Sequence, residues 1–180
     1  MRAAAKAGAE FIATPEATTY LGPHDKKIQL AEPLDGPTHQ RLARLAKDLS
    51  ITLLVGSVAE RLDDTKAYNT SLLFGPDGNL IAHYRKMHLF DVEVPGGVSF
   101  RESDTCAPGD EVVVAETPLG NIGMSICYDL RFPALWRRLA WEEDCDLVVH
   151  PSAFVRDATF PMYHTFVTTR AWRTASTCCQ

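Results

Sequence analysis

Cys127 lies where an apolar strand is expected to end and a helix to begin a few residues later, in the segment Gly123-Met-Ser-Ile-Cys-Tyr-Asp-Leu-Arg-Phe-Pro133. A strand-to-helix turn of this kind exposes a side chain at the end of a sheet, beside backbone N–H groups that can bind an oxyanion. A cysteine in that position can attack an acyl carbon. The alternative is a buried cysteine that packs as a small hydrophobe, because free cysteine is among the most buried residue types. Spacing alone leaves both interpretations open.

Two other segments carry the groups that a thiol needs to attack an amide. The thiol requires a proton acceptor, and the developing oxyanion requires a nearby positive charge. Glu16 directly follows one buried strand and Lys86 follows another, so both side chains are expected at the end of a sheet, where ligand sites of α/β sheets collect. Taken singly, a Glu or Lys after a strand is usually a solvated surface group. Together with Cys127 they supply carboxylate, ammonium and thiol, the set that amide hydrolysis requires.

Alternating strands and helices must bring these groups together. Apolar positions with helical spacing predict a helix that begins near Pro37, and Pro133 is expected to begin another. Residues 15–37, rich in Pro, Gly and Asp, are expected to form a loop. Expected helices cover residues 3–7, about 37–49, 133–142 and about 161–172; expected strands cover residues 10–14, 51–58, 69–74, 80–84, 112–116, 121–126 and 147–150. Strands mixed with helices, some joined as hairpins, predict an α/β layered domain with a mixed sheet.

Charge, cysteine pattern and the length of apolar runs indicate which partners and which compartment to expect. A net charge of -5 without any Lys/Arg-rich run argues against nucleic acid or an anionic membrane and favours a small molecule or a protein. The five cysteines match neither a disulfide framework nor a zinc-ligand spacing, so a reducing compartment is expected. The longest apolar runs are strand-sized, and the first residues lack the apolar block of a signal peptide. These features predict a soluble, intracellular protein.

Three motifs taken together resemble the signature of the nitrilase superfamily. They are Pro15-Glu16, Tyr-Arg-Lys86 with His-Leu-Phe-Asp91, and Ile-Cys127-Tyr-Asp-Leu-Arg-Phe-Pro133, in the order and at the spacing of that family. The resemblance is closest to the Nit-type amidases, the branch that contains omega-amidase and deaminated glutathione amidase. Further matching stretches are Leu-Ala-Glu-Pro-Leu-Asp-Gly-Pro37, Arg-Glu-Ser103, Pro-Gly-Asp110 and Pro-Ser-Ala-Phe154. Three ordered motifs are a far more specific signal than any one alone.

The resemblance implies a reaction and a role for each matching residue. Cys127 would attack the carbonyl, release ammonia and form a thioester that water then hydrolyses. Glu16 would take the thiol proton and later activate the water, while Lys86 and the backbone N–H of Tyr128 would stabilise the tetrahedral oxyanion. Glu102 matches the family's second glutamate and would orient Lys86 or assist proton transfer; the alternative is a surface glutamate in a loop. The family uses no metal and no organic cofactor.

The resemblance also suggests a substrate class. Arg131, four residues after the nucleophile, could bind a substrate carboxylate through its planar guanidinium, although a structural ion pair with Asp129 or another acid is the alternative. Phe90 and Phe154 follow matching motifs and could line the pocket, but aromatic residues beside strands are more often core. The predicted function is hydrolysis of a small non-peptide amide, of the omega-amide acid type, to a carboxylic acid and ammonia. The alternatives are a nitrilase, an N-carbamoyl amidase, or an inactive fragment that serves as a binding scaffold.

The fold that the resemblance implies is an α-β-β-α sandwich with mixed sheets, which forms a homodimer in the full-length protein. Against the family pattern, the first strand and the C-terminal part are missing, so residues 1–180 are expected to form a single, incomplete carbon-nitrogen hydrolase domain, truncated at both ends. Residues 172–180 depart from that pattern, and a shifted reading frame is one hypothesis, which the coding sequence tests. The expected location is the cytoplasm, with mitochondria as the alternative.

Overall fold

A computed structural model of the chain describes residues 1–93, 99–154 and 156–175, with the backbone alone at positions 25, 156–161 and 172–175. Cys178 and Cys179, with most of the segment for which a shifted frame is hypothesised, lie outside the described residues. The helices are α1 (Arg2–Lys6), α2 (His24–Gln29), α3 (Pro37–Leu49), α4 (Pro133–Arg137) and α5 (Arg156–Ala175). The strands are β1 (Phe11–Ala13), β2 (Thr52–Arg61), β3 (Ala67–Phe74), β4 (Leu80–Arg85), β5 (Asp91–Glu93), β6 (Ser99–Arg101), β7 (Cys106–Ala107), β8 (Val114–Thr117), β9 (Gly120–Met124) and β10 (Leu147–Val149).

Two mixed sheets carry the architecture. In the first, β2, β3 and β4 are antiparallel neighbours, β1 joins β2 in parallel, and β7 pairs in parallel with β3. In the second, β9 lies between antiparallel β8 and parallel β10. A separate hairpin joins β5 to β6. The prediction of mixed sheets in an α/β fold is therefore confirmed.

The sheets pack face to face, and helices cover their outer faces. Successive side chains of a strand point to opposite faces, so Leu53 and Leu54 enter different layers. Leu54 packs between the sheets with Ile122 and Met124 of β9, whereas Leu53 packs with Ala46 of α3. The outer face of the second sheet is covered by α4, α5 and their neighbours through Leu130, Leu135, Trp136, Leu139, Phe166 and Val167. The layers run helix, sheet, sheet, helix, as the nitrilase resemblance implies.

Most of the expected elements form, but the helices differ from expectation in two places. The loop predicted for residues 15–37 was wrong in part, because α2 occupies His24–Gln29. This helix is short, and it is held by the burial of Ile28 and of the neighbouring Ala31 against Ala67 of β3, a tertiary contact that local composition does not reveal. The helix expected at 133–142 forms as α4 followed by a π-helical turn, Arg138–Glu142. Among the described residues, no helix is long and apolar enough to cross a lipid bilayer.

Candidate active site

The three predicted residues follow strands whose directions bring their ends together. β1 runs parallel to β2, and β4 is antiparallel to β3, which is itself antiparallel to β2. The carboxyl ends of β1 and β4 therefore lie at the same end of the first sheet, and the side chains of Glu16 and Lys86 meet there. Cys127 comes from the second sheet, three residues after β9 ends. The site is thus formed where the edges of the two packed sheets meet.

Lys86 lies at the centre of a buried group of charges. Its ammonium donates to Glu16 Oε1 at 3.1 Å and to Glu102 Oε2 at 2.9 Å, and the side chain is 2% exposed. Asn69 Nδ2 bridges the same carboxylates, donating to each at 3.0 Å. The backbone N–H of Phe90 donates to Glu102 Oε2 at 2.7 Å. Glu102 is 6% exposed and so is a member of the site, and its alternative interpretation as a surface glutamate is wrong.

Cys127 is presented to this cluster by an unusual backbone. Its φ of 45° lies in the left-handed region, which residues other than glycine seldom occupy and which is often found at functional sites. Its N–H donates to Pro151 O at 2.9 Å, and its thiol lies near enough to the Glu16 carboxylate for the two groups to interact. The turn continues into a 3-10 helix, Cys127–Arg131. The Tyr128 N–H lies in the first turn of that helix, where a helix offers no carbonyl of its own as acceptor.

Glu16 is positioned by contacts from three parts of the chain. Ala153 N–H donates to its Oε2 at 3.0 Å. The next residue, Ala17, has a φ of 58°, and its N–H donates to Ser57 Oγ at 2.8 Å. At Gly56 a Cβ atom would collide with the backbone oxygens of the segment that leads into Glu16. The register of β2 against β3 shifts at the same point, between Val55 and Val58, so an irregularity in β2 makes room for that segment.

The charges in the site determine its protonation. Burial lowers the pKa of Lys86, but the carboxylates of Glu16 and Glu102 outweigh burial and raise the pKa well above its ordinary value. For Glu102, burial raises the pKa, yet the Lys86 charge and the hydrogen bonds from Phe90 and Asn69 lower it overall. The ammonium and the Glu102 carboxylate are therefore both charged at neutral pH.

The Cys127 thiol, unlike Lys86 and Glu102, is held in its neutral form. Burial raises the pKa of Cys127, the negative charge of Glu16 raises it further, and Lys86 offsets only part of this rise. Cys127 is consequently a neutral thiol at neutral pH. It becomes a competent nucleophile only if its proton passes to an acceptor as the sulfur attacks, and the neighbouring Glu16 carboxylate can accept that proton.

The predicted substrate-binding residues take different positions. Among the described residues, no ion pair joins Arg131 to Asp129, and the Arg131 Nε atom is buried without a partner. The Arg131 guanidinium lies 5.2 Å from the centre of the Tyr128 ring. Phe90 and Tyr128 stack edge to face at 5.2 Å beside the charged cluster. Phe154 is half-buried and packs against Tyr163 of α5, at 4.8 Å between ring centres.

Two residues that complete the site were missed by the sequence analysis. Asn69 holds the two carboxylates in place, and nothing in the sequence sets it apart from Thr70 and Ser71, the polar residues that follow it in β3. Asp129 was considered only as a partner for Arg131. Its carboxylate instead gathers donors from Tyr84, His88 and Ile126. Within the described part of the chain, no group of three or more His, Cys, Asp or Glu side chains is arranged to hold a metal ion.

Comparison with known proteins agrees with the motifs. The matching family model is described as carbon-nitrogen hydrolase and spans residues 1–177. The chain therefore belongs to the carbon-nitrogen hydrolase family, and the predicted membership of the nitrilase superfamily is confirmed.

The relatives place the chain within that family. It is 44% identical over 156 residues to the omega-amidase NIT2 of Homo sapiens, a match that covers 86% of this chain and 55% of that protein. The NitFhit protein of C. elegans superposes with a TM-score of 0.84 at 32% identity, over 94% of this chain and 42% of that one. Nit3 of Saccharomyces cerevisiae superposes with a TM-score of 0.80 at 30% identity, over 94% and 61%. The chain spans about half the length of the curated relatives that it matches, between 47% and 55%.

Proposed function

We propose that this chain carries the catalytic centre of an amidase, which hydrolyses a small non-peptide amide of the omega-amide acid type to a carboxylic acid and ammonia. The observation that carries the proposal is the contact of a neutral thiol, Cys127, with a carboxylate that also binds a buried ammonium. The similarity to a relative named omega-amidase supports the substrate class.

Acylation begins with the Cys127 thiol beside the Glu16 carboxylate. As the sulfur attacks the amide carbon, the thiol proton passes to the Glu16 carboxylate, so no separate thiolate has to form. The carbonyl oxygen becomes an oxyanion, which Lys86 Nζ and the Tyr128 N–H stabilise. Collapse of this tetrahedral intermediate breaks the carbon–nitrogen bond. Glu16 returns the proton to the nitrogen, ammonia leaves, and a thioester remains on Cys127.

Deacylation uses the same groups in a second cycle. Glu16 takes a proton from water, the resulting hydroxide equivalent attacks the thioester carbon, and Lys86 again stabilises the oxyanion. The carbon–sulfur bond then breaks and the sulfur recovers its proton from Glu16. Glu102 acts through Lys86: together with Asn69 it fixes the ammonium and keeps it charged.

Arg131 is proposed to bind the carboxylate of the substrate. Its Nε is buried and has no partner among the described residues, and an unpaired buried donor is costly unless a ligand satisfies it. A guanidinium can hold a carboxylate by two parallel hydrogen bonds. Tyr128, which lies against the guanidinium, and Phe90 would face the carbon chain of the substrate. Phe154, half-buried against Tyr163, stays a proposed pocket-lining residue.

Ammonia release from a substrate panel tests the proposal, with the full coding sequence expressed beside the 180-residue chain. The panel pairs omega-amide acids with amides of equal length that lack the carboxylate, and adds nitriles and N-carbamoyl compounds. We expect the omega-amide acids to be hydrolysed best and Arg131→Gln to remove that preference through a raised KM. Turnover of nitriles or carbamoyl compounds alone would contradict the amidase assignment, and no turnover of any compound by the folded protein would favour a binding scaffold.

The assembly is proposed on the resemblance, and the compartment and partners on composition and charge. We infer that the full-length protein is a homodimer in the cytoplasm, with mitochondria as the alternative compartment, and that neither nucleic acid nor membrane is its partner. Light scattering of the purified protein tests the dimer, and a monomer at micromolar concentration would contradict it. Imaging of a tagged full-length protein tests the compartment.

A further inference from the structure

Asp129 is a fully buried carboxylate that the proposed reaction does not use. It is 0% exposed and stands two residues after Cys127, at the centre of the 3-10 helix that follows the nucleophile. A buried charge of this kind is stable only when hydrogen bonds replace its lost water. The identity and origin of its donors therefore indicate what it does.

The four donors come from the two segments that carry Lys86 and Cys127. Oδ1 accepts the backbone N–H of His88 at 3.0 Å and its ring Nδ1–H at 2.7 Å. Oδ2 accepts the Tyr84 hydroxyl at 2.7 Å and the Ile126 N–H at 2.8 Å. An ionised carboxylate has about four acceptor sites, and all are occupied.

The spacing of these donors is the informative feature. Tyr84 stands two residues before Lys86 and His88 two residues after it, so the carboxylate holds the Lys86 segment on both sides. Ile126 immediately precedes Cys127, and a return bond from Asp129 N–H to Ile126 O, at 3.0 Å, closes the turn around the nucleophile. These contacts cross between the two sheets, because Tyr84 belongs to β4 and Ile126 follows β9.

Further contacts keep this arrangement rigid. The His88 ring is stacked on Phe132, 3.6 Å between centres, and the Asp129 carbonyl accepts the Trp136 indole N–H at 3.1 Å. Burial raises the pKa of Tyr84, which therefore stays protonated as a donor. Since the backbone of Cys127 is in the left-handed region, an external hold on its neighbours is needed to keep it there.

We propose that Asp129 is a positioning residue for the reaction: its carboxylate sets the distance between the Lys86 ammonium and the Cys127 sulfur by holding Tyr84 and His88 on one side and Ile126 on the other. It touches neither substrate nor the reacting atoms. The expected effect of Asp129 on turnover rests on the proposed function. Its expected effect on the reactivity of Cys127 does not depend on amide hydrolysis.

Asp129→Asn tests the proposal, since an amide of the same shape can accept on one side only. The control is Asp77→Asn, which alters an exposed carboxylate with two Asn79 donors in the hairpin at the far end of β4 from Lys86. We expect Asp129→Asn to lower kcat about 100-fold with little change in KM, because small misplacement of reacting groups has effects of that order. Asp77→Asn should leave both constants unchanged. A kcat that survives Asp129→Asn, with only the unfolding midpoint lowered, overturns the proposal.

A second measurement tests the positioning role of Asp129 without measuring turnover. The alkylation rate of Cys127 by iodoacetamide, read by peptide mass spectrometry, is divided by that of Cys145 in the same molecule, and the ratio is compared with and without Lys86→Ala. Because Lys86 assists ionisation of the thiol, Asp129→Asn should lower the ratio when Lys86 is present and leave it unchanged when Lys86 is absent. An equal or higher ratio in the presence of Lys86, or an equal fall with and without Lys86, overturns the proposal.

If Asp129→Asn does not fold, Tyr84→Phe removes one of the four donors and should lower the same ratio, by less than loss of the whole carboxylate would. If the protein hydrolyses no amide, the proposed function fails and this ratio still tests Asp129.

Discussion

At the scale of single residues, Lys86 is the group on which the stability of the site depends. Its buried ammonium separates two carboxylates, those of Glu16 and Glu102. Removing one partner from a buried ion pair leaves uncompensated charge and costs about 3–5 kcal/mol. The same residue is proposed to stabilise the oxyanion, so its loss should affect folding and turnover together.

Lys86→Met should lower the free energy of unfolding at pH 7 by about 3 kcal/mol and abolish most turnover. The folded-state pKa of Glu102 is depressed, so its stabilising effect is present above the unfolded pKa of about 4.3 and is lost as pH falls through the folded value. In the variant the Glu102 carboxylate loses its cation and takes up a proton more readily, so the difference between the proteins should shrink as pH is lowered from 7 toward 4.5. Urea unfolding at both pH values measures this, and a difference independent of pH would contradict the coupled charges.

Glu16 has two effects on Cys127 that one variant separates. Its carboxylate raises the pKa of the thiol and is proposed to accept the thiol proton. Glu16→Gln should therefore speed alkylation of Cys127 at pH 9, because the thiol ionises more readily, while it abolishes ammonia release. Iodoacetamide labelling followed by mass spectrometry gives the first rate, with Cys145 as the internal reference. Slower labelling would contradict the effect of Glu16 on the pKa of Cys127, and turnover that persists would contradict its role as the base.

At the scale of elements, the position of Glu16 depends on the irregularity in β2. A Cβ atom at Gly56 would collide with backbone oxygens of the segment that leads into Glu16, so either that segment or β2 must move. Gly56→Ala should lower kcat by about 100-fold, as displacement of a catalytic group by about 1 Å does, and destabilise the fold by about 1–3 kcal/mol. In the control, Gly22→Ala, the atoms nearest to the new one belong to the Tyr20 side chain, which can move aside. Equal kinetics in the two variants would contradict this account.

The elements also show where sequence reasoning succeeds and where it stops. Strand ends were predictable from apolar runs that stop at a charged or reactive residue, and such runs were enough to place Glu16, Lys86 and Cys127 at sheet edges. The tertiary contacts of the site were not predictable, because they join residues far apart in the chain. Asn69 meets Glu16 across 53 positions, and its role cannot be read from the strand in which it lies.

Elements whose formation depends on tertiary contacts were likewise not predictable from sequence. α3 follows helical periodicity and formed as predicted, whereas α2 depends on the burial of Ile28 and was missed. The strands β5 and β6 were also missed, because each has three residues and their pairing forms no periodic apolar pattern. Phe154 could not be assigned from sequence, since a pocket wall and a core position require the same residue type.

At the scale of the whole molecule, the layer between the two sheets joins the halves of the site. Leu54 of β2 is fully buried there against residues of the second sheet, which carries Cys127. Leu54→Ala should lower the free energy of unfolding by about 2–5 kcal/mol through lost burial and a cavity. Leu147→Ala, at a position 46% exposed in β10, should change it by less than about 0.5 kcal/mol. Chemical denaturation measures both, and comparable losses would contradict the assignment of the core.

The central claim is that Cys127 forms a covalent acyl intermediate, and rapid-quench mass spectrometry during turnover of an omega-amide acid tests it most directly. We expect the peptide containing Cys127 to gain the mass of the acyl group as ammonia is released. The Cys127→Ala variant should show neither the adduct nor the ammonia, whereas Cys145→Ala should show both. Ammonia release by a folded Cys127→Ala protein, with no adduct in the unsubstituted protein, would contradict the claim.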